Sequence, residues 1–143
     1  MASDKRPGYE FFEHTADVGM VATGETLEEL LVHCAQGLVR LIAEESAVEP
    51  KESRLVELHA RSAEALLREW LTQLIVWFDA ERFLPSRYEL SSVSATVLRG
   101  RVSGEQFDPS RHVHGVEVKG VTRHQFLVEQ RGGRWHARLI FDV

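Results

Sequence analysis

The chain has 143 residues and a net charge of −5, with 43% hydrophobic and 27% charged residues. That balance fits one globular domain with its own core, and it excludes a disordered chain and a strongly basic nucleic-acid binder. Cys34 is the only cysteine, so no internal disulfide or multi-thiolate zinc cluster can form.

In chain order, residues 1–8 are polar with a Pro7-Gly8 pair and read as a flexible arm, leaving 9–143 as a single domain. No apolar signal-like stretch opens the chain, and the longest strongly apolar run, Leu74 to Phe78, is far too short for a bilayer. A cytoplasmic protein is expected. Tyr9–Phe12 and Val18–Thr23 read as strands flanking the loop-like Glu13-His14-Thr15-Ala16-Asp17.

Thr26 followed by Glu29 is a capping box, opening a helix whose Leu27, Leu30, Leu31, Cys34, Leu38, Leu41 and Ile42 recur at helical spacing. Cys34 lies on that stripe and reads as a packed thiol rather than a reactive one. Gly37 costs the helix a little stability, which a close helix–sheet approach would explain. Arg54–Ala60 reads as a half-exposed strand. Ser62 caps a second helix reaching about Ala80, with Trp70 in phase with its leucines and Trp77 off phase, as if facing a partner.

Beyond Pro85 the expected strands are Arg87–Val93, Thr96–Ser103, Val116–Val121, Gln125–Gln130 and Trp135–Val143. Arg131-Gly132-Gly133-Arg134 supplies a hairpin turn between the last two. The expected fold is α+β, with two helices on one face of a largely antiparallel or mixed sheet, because helices come early and strands cluster late.

The sequence has no phosphate-loop spacing, no Gly-x-Ser-x-Gly elbow and no His-Glu-x-x-His pair. Its surplus polar residues gather elsewhere. Asp17 taken alone reads as a turn residue, His112 and His114 as solvated loop histidines, and Glu117 and Lys119 as the wet face of a strand. Asp142 is different. It lies between Phe141 and Val143, beside the terminal carboxylate, and two carboxylates in a protected place repel unless a cation sits between them. Oxygen donors favour Ca²⁺ or Mg²⁺, and an added histidine shifts the balance toward Zn²⁺. Asp17 would bring further oxygens from the opposite end of the chain.

The stretch Glu13-His14-Thr15-Ala16-Asp17-Val18-Gly19 resembles the opening of the archease family. The likeness continues through Trp70-Leu71, Phe78-Asp79, Gly104-Glu105 with Asp108 and Arg111-His112, Gly115-Val116-Glu117-Val118-Lys119, and the closing Phe141-Asp142-Val143. Gly120 and Arg123 stand where an alanine and often an aromatic residue would be expected.

The resemblance implies a non-enzymatic accessory of an RtcB-type RNA ligase in tRNA splicing and RNA repair. Such a protein promotes GTP-dependent guanylylation of the ligase's active-site histidine and sustains multiple turnover. It also implies a divalent metal site, Ca²⁺ favoured over Mg²⁺ or Zn²⁺, matched here by Asp17, Asp142 and Val143. Lys119 matches a position associated with activation, and His14 and Glu117 follow by motif proximity. The implied partner is the ligase, with no stable direct nucleic-acid binding and no membrane. Two rival readings stand beside it: a metal-dependent hydrolase with His14 or His124 as base, and a chaperone or modulator of RNA-modifying enzymes.

Overall fold

In the computed structural model, which describes residues 7–14, 17–44 and 47–143 (13 and 14 by backbone only), ten elements follow one another. They are β1 (Tyr9–His14), β2 (Asp17–Gly24), α1 (Leu27–Ile42), β3 (Glu52–His59), α2 (Ala63–Glu81), β4 (Phe83–Val93), β5 (Val97–Gln106), β6 (Gly120–Val121), β7 (Leu127–Arg131) and β8 (Arg134–Asp142). Residues 1–6 of the expected arm, and Thr15 and Ala16 of the opening motif, lie outside the described residues.

Both helices begin where short polar side chains can satisfy open amides. Thr26 Oγ1 accepts from Glu29 N at 3.0 Å, and the Glu29 carboxylate accepts from Glu25 N at 2.9 Å, one residue before the cap. Ser62 Oγ does the same for Ala65 N at 3.1 Å. The apolar stripe of α1 lies against β1, β2 and β8, and also meets α2 and β4. A Cβ on Gly37 would stand 2.4 Å from Met20 Sδ and 3.1 Å from the Tyr9 ring, so the expected close approach of helix to sheet is real. Trp70 is fully buried and donates from Nε1 to the Leu31 carbonyl at 2.9 Å, tying α2 to α1. Cys34 is fully buried, and desolvation pushes its thiol pKa well up, away from thiolate chemistry.

The α+β class and the antiparallel pairing are as expected, but the strands divide between two sheets. One runs β1-β2-β8-β6, with β7 also on β8; the other is β3-β5-β4. β8 is the hub of the first. Its Trp135–Asp142 stretch pairs with β2, while its other edge is shared, Arg134–Arg138 by β7 and Phe141–Asp142 by β6. The Arg131–Arg134 hairpin closes through Gly132 (φ 60°) and Gly133 (φ 77°), a left-handed pair that matches strand twist. In the second sheet, register shifts near Pro85/Arg87 and Leu90/Ser92 mark irregularities of the kind that bend a strand.

The expected strand over Val116–Val121 is corrected to two residues, Gly120–Val121. Its earlier amides are spent elsewhere: Gly115 N donates to Ile42 O at 2.8 Å and Val116 N to Leu41 O at 2.9 Å. They satisfy carbonyls that the end of α1 leaves open, and a segment doing that cannot also run in a ladder. Trp77 is likewise corrected. It is half-buried, edge-on to Phe83 with the Arg54 guanidinium over its ring, and the exposed apolar residue of α2 is its neighbour Val76, half exposed. No helix among the described residues is long and apolar enough to cross a membrane.

Candidate functional site

Strand register builds one end of the first sheet. β1 and β2 place His14 opposite Asp17, β2 and β8 place Asp17 opposite Asp142, and β8 and β6 place Asp142 opposite Gly120. Four positions, from both ends of the chain, therefore lie in one row. Directly paired residues point to the same face with Cβ atoms ~4.5–5.5 Å apart. Asp17 and Asp142 thus share a face at a separation that one ion can bridge. Asp142 is exposed, and Asp17 and Val143 are half-buried. The side chain of His14 lies outside the described residues.

Lys119 joins this row through its backbone, its N–H donating to the Asp142 carbonyl at 2.7 Å, while the residue is exposed. Glu117 belongs to another place. With Asp79, Arg82, His114 and Val118 it lines a cavity of about 270 Å³ between the C-terminal ends of α1 and α2, where neither Asp17 nor Asp142 contributes.

The donor set fits a hard cation in part. Two carboxylates on adjacent strands repel one another, and a divalent ion removes that repulsion. Among the described residues, no group of three His, Cys, Asp or Glu side chains is gathered closely enough to hold a metal. A divalent ion there would draw on two side-chain carboxylates and a Val143 backbone oxygen from this chain. That is an oxygen set suited to Ca²⁺ or Mg²⁺ rather than a closed zinc site.

A second polar cluster was not legible as such. His112, expected to be solvated, is buried. Its Nδ1 accepts from Asp108 N at 2.8 Å, so the proton sits on Nε2, which reaches Glu105 Oε2 at 3.1 Å and Ala47 O at 3.2 Å. Glu105 is buried too and also accepts from Glu49 N at 2.7 Å and from the Arg111 guanidinium. Burial pushes the Glu105 carboxyl up, yet Arg111, the Glu49 amide and His112 together outweigh it and hold it at about 2. This knot pins the approach to β3 against the turn at 108–112, and from there the chain runs on to cap α1 and deliver Lys119. His114 is exposed, as expected, and its Nδ1 lies 2.9 Å from the Gly115 carbonyl. The available signal was the spacing of Glu105, Asp108, Arg111 and His112.

The model of the Archease protein family (MTH1598/TM1083) matches residues 9–143. Protein archease of Sulfurisphaera tokodaii is 35% identical over 136 residues, covering 94% of this chain and 98% of that protein. Protein archease of Methanopyrus kandleri is 36% identical over 138 residues, covering 94% and 99%. Among solved structures, protein 1598 of Methanobacterium thermoautotrophicum superposes with a TM-score of 0.81 at 33% identity, covering 96% of this chain and all of that one. An archease from Thermotoga maritima, described as a possible chaperone, shares the fold with a TM-score of 0.66 at 18% identity over both full chains.

Proposed function

The chain belongs to the archease family, and from that premise we propose that it activates an RtcB-type RNA ligase without turning over a substrate of its own. It promotes GTP-dependent guanylylation of the ligase and sustains its repeated turnover in tRNA splicing and RNA repair, in the cytoplasm. The observation that carries this reading is the strand register that sets Asp17 opposite Asp142 at one edge of the molecule, beside Val143 and the exposed Lys119.

Asp17 and Asp142 would hold a divalent cation, Ca²⁺ favoured, with Val143 oxygens completing the protein's share. Bound there, the ion supplies positive charge beside the ligase's nucleotide, the kind of preorganised charge that lowers a phosphoryl-transfer barrier. The two aspartates orient that charge, and the sheet fixes their spacing before the partner arrives. Lys119, anchored through its backbone to Asp142, presents an ammonium to the same edge, where it meets phosphate oxygens or a carboxylate of the ligase. His14 shares the row by register and Glu117 does not, so His14 is the stronger auxiliary candidate of the two.

The test is a guanylylation assay on the ligase, with GTP, with and without this protein. Wild type is expected to accelerate labelling and to permit many ligation turnovers per ligase. Asp17→Asn and Asp142→Asn are expected to lose at least tenfold of that acceleration while remaining folded. Full activation by both variants would overturn the proposal.

A further inference from the structure

Between α2 and the edge of the first sheet runs a groove of about 440 Å³ that the carboxylate end does not use. Its floor is the outward face of α2, where Thr72, Gln73 and the half-exposed Val76 follow at helical spacing. Val121 of β6 forms one wall and Leu58 of β3 the other, and Arg68 and Arg123 stand over it.

Three observations give the groove a direction. The first is charge: the lining carries Arg68 and Arg123 against Glu69 alone, in a chain whose net charge is −5. Among the described residues, Arg68 and Arg123 form no ion pair, although Glu69 lines the same groove. The second is the absence of a stacking platform among the lining residues. Phe126, which carries the Arg68 guanidinium 5.5 Å over its ring, is buried. A single-stranded nucleic acid would call for exposed rings there. The third is continuity: Val121 pairs with Phe141 and its neighbour Gly120 with Asp142, so the wall of the groove runs directly into the aspartate row.

We propose that this groove docks an extended, acidic segment of the ligase, with one apolar side chain on Val76 and Val121 and carboxylates on Arg68 and Arg123. Among the described residues β3 has a strand neighbour on one side only, so its open edge can add backbone hydrogen bonds to such a segment. The groove supplies affinity and encounter rate, and the aspartate row supplies activation. This inference rests on the ligase reading above, and it adds where the partner is gripped.

The experiment measures two quantities on the same proteins: affinity for the purified ligase by calorimetry, and guanylylation at saturating concentration. Val76→Asp and Arg123→Glu change exposed residues and leave the core intact. Each is expected to weaken binding at least tenfold, with loss of the salt dependence in Arg123→Glu, while the saturated rate stays at wild type. Arg123→Lys is expected to bind nearly as wild type. Unchanged affinity in both Val76→Asp and Arg123→Glu, alongside wild-type activation, would sink the groove and leave the ligase reading standing. Weakened affinity with no activation by any protein would sink the reading and leave the groove. Wild type that fails to bind the ligase removes both. An RNA oligonucleotide that binds wild type and is lost in Arg123→Glu, with ligase affinity intact, would assign the groove to RNA and overturn the proposal.

Discussion

The Glu105 knot and the aspartate row are both built from residues of the same family-like stretches, yet they stand in opposite electrostatic situations. Glu105 is buried, and guanidinium, imidazole and amide donors converge on it. Asp17 and Asp142 stand opposite one another across a strand pair, with Asp142 exposed. The first cluster consumes its chemistry inside the molecule and fixes a turn. The second sets two carboxylates on facing positions of one edge, where a cation between them would lower their repulsion. Position in a motif does not separate the two; the direction in which their charge is balanced does.

Removing Glu105 should therefore damage stability and spare activation. Glu105→Leu leaves His112 and Arg111 without their carboxylate and is expected to cost about 2–3 kcal/mol, below the ~3–5 of a fully buried pair because Arg111 keeps part of its guanidinium in water. Urea denaturation measures the loss, and guanylylation below the transition should stay near wild type.

The same group sets an acid limit. A carboxyl held at about 2 when folded stabilises the protein above its unfolded pKa, and that contribution fades as pH falls from about 5 toward 2. Glu105→Gln should flatten this part of the stability–pH curve, and an unchanged slope would place the acid sensitivity elsewhere.

The aspartate row should behave the other way. Calcium at ten times its dissociation constant should stabilise wild type by about 1.4 kcal/mol, and the shift should vanish in Asp142→Asn. Thermal denaturation with and without EDTA reads it. The smallest effect sharpens the contrast most: without metal, the exposed Asp142→Asn should change stability by no more than about 0.5 kcal/mol, since it removes one of two facing like charges. A large loss there would make Asp142 a structural residue like Glu105.

Local patterns that needed no distant partner were legible in advance. The caps at Thr26 and Ser62, the α1 stripe with Cys34, the Gly37 approach and the Gly132-Gly133 turn all depend on neighbours within a few residues or on a face that periodicity reveals. The strand expected over Val116–Val121 is shorter for the matching reason. The alternation there suggests a strand, but the carbonyls at the end of α1, far back in the chain, claimed the segment's amides. The burial of His112 is not legible in the sequence because its partners, Glu105 and Ala47, lie on segments that only folding brings beside it.

By itself the sequence determined the helices, most strands, the α+β class and the residues worth suspecting, because periodicity, capping and turn chemistry act over short stretches. The tertiary structure alone decided which suspects stand together. Antiparallel register is a long-range choice, and it alone sets Asp17 from the start of the chain against Asp142 near its end while folding Glu105 and His112 inward.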